Sequence, residues 1–447
     1  MKKRNLFYIV PLLLLAACEP GIDEFSPSKG TADFSRLIAV GDSWTSGMAD
    51  ASLYKSGQEN SFPNILAGQF SFVGGGAFNQ PLMVDDYGFG LGTGTPKPKM
   101  EMGYRVDCKD VTSLAPGYAD VTVDPANFAS VAAQGPFNNI STPGMKSFYM
   151  GVAGLATLNP YYGRFASALT NKVLDEIPPV NATFFTLWLG SYDVLGYAIG
   201  GGNDPANPLT PVATFAGSIQ ATLSTLTANG AKGAVANIPD VTDAAFFHTI
   251  PYNVLPIPDQ ATADLLNGAY AGLNQLIKST GSTDTLHFVV GPNPIVIQDA
   301  ALPWGMRQIH SDELVLLSMP QDSLKCAGWG SQKPVPANFI LDETEIGNIQ
   351  LAVDDYNTQI SQLVSGADIA LVDMYSIMKD LNAGLAFDNV SISPKFVTGN
   401  FYSTDGLNPS FRGNAVLAFY FIEAINAKFG AQIPQVIVSD YPGVTLP

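Results

Sequence analysis

The sequence is poor in charge, and above all in positive charge. Only 14% of the 447 residues are charged, and 22 basic residues stand against 39 acidic ones, which gives a formal net charge of −17. Such a chain lacks the basic surface that phosphate binding needs, so nucleic acid is excluded as a partner. Hydrophobic residues make up 46% of the chain, which predicts a large folded core and excludes a disordered polymer.

Histidine is scarce as well, with three residues in the whole chain. His248, His287 and His310 are scattered, and the acidic pairs lack the spacing of a calcium-binding loop. The alternating glycines from Gly88 to Gly94 lack the strand-to-helix context of a dinucleotide fingerprint. The sequence therefore predicts no metal site and no cofactor.

Long hydrophobic runs are nearly absent, and the one at the N-terminus is too short to span a bilayer. It extends from Leu6 to Ala17 behind three basic residues, which is typical of a secretory signal. It ends Leu-Ala-Ala-Cys, which resembles a bacterial lipobox, where the thiol of the cysteine, here Cys18, is lipidated. We therefore expect a signal peptide over residues 1–17, then lipidated Cys18 with a tether over residues 18–33.

This reading places the protein outside the cytoplasm, anchored by lipid at the outer membrane, on its periplasmic or cell-surface face. An ordinary signal peptide that happens to contain a cysteine is the alternative. Cys108 and Cys326 are the two remaining cysteines. In an oxidising compartment they are candidates for a disulfide, with two buried free thiols as the alternative.

The main part of the chain alternates short apolar runs with helical patterns. Apolar runs without polar alternation are typical of parallel strands that are covered on both faces. Strands alternating with helices predict an α/β fold with a doubly wound parallel sheet. The predicted strands are 36–40, 184–189, 233–238, 287–290 and 369–373, and the predicted helices are 212–228, 259–278, 344–363 and 410–429.

Two regions depart from this alternation. Residues 70–145 are rich in glycine and aromatic side chains, and residues 246–342 are rich in proline. Long irregular segments in a compact domain are usually functional. We predict that both are long loop insertions that cap the ligand-binding edge of the sheet, within a domain of residues 34–430 that is followed by a tail over residues 431–447.

Ser43 is the first candidate for chemistry, because it follows a predicted strand in a Gly-Asp-Ser turn. Open α/β folds place their ligands at this edge of the sheet, and a serine there becomes a nucleophile if a base lies near. The alternative is that Ser43 only caps the next helix.

Four segments in order resemble the conserved blocks of the GDSL, or SGNH, hydrolases, a family of esterases, lipases and carbohydrate acetylesterases. The family fold is a three-layer α/β/α sandwich, similar to flavodoxin. The resemblance assigns Ser43 as nucleophile, Gly144 as an oxyanion-hole amide and Asp405 as the triad acid. The four segments are Gly41–Trp44, Asn139–Gly144, Gly190–Asp193 and Asp405–Pro409, with Arg412 and Gly413 downstream as is common in the family.

Two name-giving residues of the family are replaced. Tyr192 stands where the third block has an oxyanion-donating Asn, and Asn408 stands where the last block has the catalytic His. An amide has no useful basicity near neutral pH, so Asn408 cannot take the proton from Ser43. The Tyr192 hydroxyl either replaces the lost donor in part, or its ring fills the pocket. His248, just beyond another predicted strand end, is the only candidate for a substitute base.

Three hypotheses follow. In the first, the chain is a catalytically inactive member of the family that serves as a binding or structural subunit at the outer membrane, with an outer-membrane protein or a glycan or lipid as its partner. In the second, it is an active serine ester hydrolase with a non-standard base. In the third, it is a lipoprotein that captures glycans beside an outer-membrane transporter. Trp44 either lines an acyl pocket or packs the core.

Overall fold

The computed structural model describes residues 25–92 and 94–447. The predicted signal peptide, Cys18 and the first part of the tether lie outside the described residues. Within the described ranges, every helix is too short or too polar to cross a bilayer.

The elements follow each other along the chain as short strands and helices of very different lengths. The strands are β1 Leu37–Gly41, β2 Met100–Val106, β3 Thr112–Tyr118, β4 Phe184–Trp188, β5 Lys232–Ala236, β6 Leu255–Ile257, β7 Gly291–Asn293, β8 Val296–Gln298, β9 Met306–Gln308, β10 Leu314–Val315, β11 Ile340–Leu341, β12 Ile369–Val372, β13 Leu385–Phe387 and β14 Val390–Ile392. The helices are α1 Ser43–Ser46, α2 Lys55–Glu59, α3 Phe62–Phe70, α4 Pro160–Phe165, α5 Ser191–Ile199, α6 Val212–Thr227, α7 Ala245–His248, α8 Gln260–Ser279, α9 Gln321–Cys326, α10 Glu343–Val364, α11 Met374–Ala383 and α12 Phe411–Phe429.

The fold is mixed α/β with a central parallel sheet of four strands in the order β1-β4-β5-β12. All residues of β1 and β4 are buried, which confirms the prediction made from their unbroken apolar runs. The four predicted strands of this sheet are present within one or two residues of the expected bounds.

The strand predicted over residues 287–290 is wrong. This segment is irregular, because side chains, two of them on α8, and not a neighbouring strand bond to its backbone. Asn267 bonds to both the N–H and the carbonyl of Phe288, and Asn274 does the same for Leu286. Apolar composition alone does not distinguish such a segment from a strand.

The four predicted helices are confirmed as α6, α8, α10 and α12. Helices α3 and α12 pack together over one face of the sheet, where Phe70 and Phe429 both contact Phe184 on β4. Helices α6 and α10 pack on each other through a stacked pair, Phe215 and Tyr356, with ring centroids 4.2 Å apart. The main hydrophobic core lies between these helices and the sheet.

The second insertion, residues 246–342, is more than the long loop that its proline content predicts. It contains α8 and several two-stranded ladders, and it has a hydrophobic core of its own that includes Ile257, Phe288, Ile297 and Val315. Within this unit, Arg307 is paired with Glu313 and Asp299. The insertion is thus a small packed unit attached to the main domain.

The first insertion, residues 70–145, carries the β2–β3 hairpin, and this hairpin is fastened to the second insertion. Cys108 at its turn forms a disulfide with Cys326 at the end of α9, so that the bridge spans 218 residues of sequence. Lys325 bonds to Asp107 at 2.9 Å beside it. Of the two alternatives open from the sequence, the structure has the bonded pair.

We predict that the chain from residue 25 onward has no free thiol without reductant, and that replacing both Cys108 and Cys326 with serine lowers the free energy of unfolding by about 2–5 kcal/mol. The physical reason is the length of the loop that the bridge closes in the unfolded chain. Thiol titration and urea unfolding are the measurements. Two titratable thiols in the folded chain contradict the prediction.

Candidate functional site

The candidate site lies where the chain reverses its path across the sheet. On the edge of β1 away from β4, the segment around Asn139 runs parallel to β1; Ala39 donates to the carbonyl of Asn138 at 2.7 Å and Ile140 donates to that of Ala39 at 3.1 Å. The chain thus leaves β1 to one side and returns as β4 on the other. Open α/β sheets bind ligands at such a switch point, at the carboxyl ends of the strands.

Ser43 stands at the end of β1 in a turn that requires glycine at position 41. A side chain at Gly41 collides with Thr45 and with the carbonyl of Trp188. The Asp42 carboxylate accepts a hydrogen bond from the N–H of Trp44 at 3.2 Å and is the N-cap of α1. Ser43 is therefore the first residue inside the helix, and the interpretation of Ser43 as the capping residue is wrong.

Gly144 lies directly against Ser43, as the resemblance implied. Its N–H donates to the Ser43 hydroxyl oxygen at 3.1 Å. Gly144 has φ +74°, which side chains rarely adopt, so glycine suits the turn that aims this N–H at Ser43. The nucleophile position and one oxyanion donor position are thus in contact.

Tyr192 packs against this same glycine. It lies in the first turn of α5, and its ring carbons Cε1 and Cζ lie 3.8 Å from the point where a Cβ on Gly144 would stand. The ring is half-buried, and burial raises the pKa of its hydroxyl. This placement favours the interpretation that the ring fills the pocket over a donor role for the hydroxyl.

Asp193, the next residue, is a part of the site that sequence reasoning gave no role. It is fully buried, and its two carboxylate oxygens accept from the N–H and the hydroxyl of Ser147, each at 2.7 Å. This pair ties α5 to the loop that carries Gly144. The position of Asp193 in the third block was the signal in the sequence that could have identified it. Its partner Ser147 lies outside the four segments, so the sequence does not indicate the contact.

Asp405 is a buried carboxylate with four donors. Its Oδ2 accepts from the N–H of Ala51 at 2.7 Å and from the amide Nδ2 of Asn408 at 2.8 Å. Its Oδ1 accepts from the backbone N–H groups of Leu407 and Asn408, both at 2.8 Å. Burial raises the pKa of Asp405, although these donors oppose the shift. Asp405, the predicted triad acid, is thus bonded to Asn408, the residue that the resemblance aligns with the histidine.

The two halves of the site meet through the neighbours of Ser43 and Asn408. The indole N–H of Trp44 donates to the carbonyl of Leu407 at 3.2 Å. The ring of Trp44 packs edge-on against Trp188, with centroids 5.0 Å apart. Of the two roles considered for Trp44, these contacts favour packing, and they hold the first and last blocks side by side.

His248 does not contact the acid position. It is exposed at the end of α7, and it is not among the residues that donate to Asp405. The helix itself adjoins the last block, because Phe246 donates to the carbonyl of Gly406 at 3.0 Å. His287 and His310 are exposed in the second insertion. Among the described hydrogen bonds of Asp405, every donor is a backbone N–H or the Asn408 amide.

Asp42, the residue before Ser43, is a second buried carboxylate. Asp42 is 3% exposed, and its Oδ2 has no hydrogen-bond partner among the described residues. Burial, together with the nearby charge of Asp193, raises the pKa of Asp42 to about 7. The residue next to Ser43 is therefore a buried carboxyl group whose pKa lies close to neutral pH.

In the described part of the chain, histidine, cysteine and acidic side chains form no group of three that could hold a metal ion. No family model matches the sequence, and no curated protein matches it.

The raised pKa of Asp42 predicts a pH-dependent stability. Because the fold favours its neutral form, its contribution is fully present below the unfolded-state pKa of about 4 and is lost as the pH rises through about 7. We predict that Asp42→Asn reduces the loss of unfolding free energy between about pH 5 and pH 8 by on the order of 3 kcal/mol. Urea unfolding at both pH values measures this; an equal loss in both chains contradicts it.

Proposed function

We propose that the chain is a membrane-anchored lipoprotein related to SGNH hydrolases, with a three-layer α/β/α doubly wound fold, that has lost catalysis and serves as a binding or structural subunit at the outer membrane. Its support is that segments matching all four blocks converge at one sheet edge. Ser43 contacts Gly144, Tyr192 packs on Gly144, and Asp405 contacts Asn408.

The observation that carries the proposal is the bond from Asn408 Nδ2 to Asp405 at 2.8 Å. In a Ser-His-Asp triad the acid accepts from an imidazole N–H, while the other ring nitrogen takes the serine proton. An amide reproduces the first contact, but it has no basic atom for the second. The hydrogen bond to the acid is therefore present, and the basic atom that would take the serine proton is absent.

The size of the loss supports the absence of turnover. Removing one triad member costs about 10³ to 10⁶ in rate, and removing an oxyanion donor costs about 10² to 10³ by itself. Tyr192 adds to the first loss, because its ring packs against Gly144 and no amide donor stands at this position.

The position of the N-terminal segment suits a subunit that reaches away from a membrane. Helix α12 begins just beyond the last block and ends at Phe429, where Thr31 donates to its carbonyl at 2.9 Å. Its 19 residues cover about 28 Å. Ser28 and Thr31 thus lie at the end of α12 far from the candidate site, and an anchor at Cys18 would leave that site free for a protein, glycan or lipid partner.

The alternative function is an active serine ester hydrolase with a non-standard base. One observation favours it, namely the intact contact of 3.1 Å between the Gly144 N–H and the Ser43 hydroxyl. His248 would have to turn toward the site to act as the base.

We predict that the chain from residue 25 onward neither reacts with a fluorophosphonate probe nor hydrolyses p-nitrophenyl acetate above the Ser43→Ala level. The double variant Tyr192→Asn with Asn408→His restores a base and a donor, so we expect Ser43-dependent labelling and turnover at least tenfold above background. Mass spectrometry of the labelled peptide and initial rates are the measurements.

Thermal unfolding of each variant establishes that it is folded. Turnover in the unmodified chain that Ser43→Ala abolishes overturns the proposal in favour of the active hydrolase. In that case His248→Ala tests the substitute base, since its loss of activity identifies the imidazole and retained activity excludes it.

A further inference from the structure

Helix α8 is an outer helix of the second insertion, and only one side of it is covered. Ala263, Leu266 and Ile277 are buried in the core of that insertion. The opposite side carries two large apolar side chains in solvent, Leu265 at 72% and Leu276 at 53% exposure. An isolated exposed leucine is ordinary, but two on one face, three turns apart, define an apolar stripe.

The surface between these leucines is flat and nearly uncharged. Gly268 and Gly272 lie between them, and a Cβ on either glycine would meet no atom within 4 Å. Two glycines inside a helix cost about 1 kcal/mol each relative to alanine, so they need a compensating role. Close approach of a second backbone is such a role. We call this side the α8 face; its exposed residues are Ala261, Leu265, Gly268, Gly272, Leu276 and Ser279.

The α8 face is complementary to itself when two copies run antiparallel. About a centre near Tyr270, Leu265 of one copy lies opposite Leu276 of the other, and Gly268 lies opposite Gly272. The only charged residues of the helix, Asp264 and Lys278, are about four turns apart on one flank. In the same antiparallel arrangement, Asp264 of each copy lies opposite Lys278 of the other. A two-fold axis requires this kind of self-matching.

We propose that a second copy of this chain docks on the α8 face, forming a two-fold symmetric dimer. The glycines at the centre allow the helix axes to approach closely, and each Leu265 packs beside the partner's Leu276. The Asp264–Lys278 pairs at the rim set the antiparallel register and add little affinity.

Sedimentation equilibrium of the chain from residue 25 onward, which contains every described contact, tests the proposal. We expect twice the chain mass at micromolar concentration, and a monomer for Leu265→Glu because it buries a charge opposite an apolar partner. Leu351→Glu is the matched control, since Leu351 is 66% exposed on α10 and should leave the dimer intact. A monomer at all concentrations, or a dimer that survives Leu265→Glu, overturns the proposal.

A charge exchange tests the register separately. Asp264→Lys and Lys278→Asp each place like charges together, so each variant should raise the dissociation constant at low salt several-fold. The double variant restores opposite pairs and should return to the wild-type value. Equal dissociation constants for the single and double variants overturn the antiparallel register, and with it the two-fold pairing.

Discussion

The carboxylate of Asp405 is the interaction on which the candidate site depends. Its four donors belong to three residues in two separate segments, and one of them, Ala51, belongs to a loop with an unusual backbone. Asp50 and Ala51 have φ of 53° and 59°, values that residues with side chains adopt at a cost. Thr404 donates to Asp50 beside this contact, so the last block holds the loop that follows Ser43.

This dependence explains how the site keeps its form without a histidine. The acid position of a triad must hold a donor, and the amide of Asn408 supplies one at 2.8 Å. Under the proposed function, replacing the base with this amide leaves no buried acceptor unsatisfied, which would cost about 1–3 kcal/mol. In the proposed function the site can keep its structure without catalysis. The reason is that Asp405 accepts hydrogen bonds from three backbone N–H groups, and these do not depend on a base.

The sequence was most informative where the signal is local. Buried apolar runs identified the strands of the central sheet, and the resemblance to the hydrolase blocks implied that Ser43, Gly144 and Asp405 lie at one edge. The remainder depends on pairing between distant segments. The contact of Asp193 with Ser147 joins residues 46 apart, and the second core assembles proline-rich pieces that have no period of their own. At Phe288, a side chain of α8 makes the backbone hydrogen bonds that a neighbouring strand would make. Composition does not reveal this substitution.

The most direct test of the central claim is the free energy of unfolding of Asp405→Asn. An amide has the same shape, but in either orientation its NH₂ group faces at least one backbone N–H, so at least one hydrogen bond is lost and the remaining ones no longer have a charged acceptor. The account predicts a loss of about 2–5 kcal/mol, of the same size in a Ser43→Ala background. Stability within about 0.5 kcal/mol of the wild type contradicts the claim that this carboxylate holds the site together.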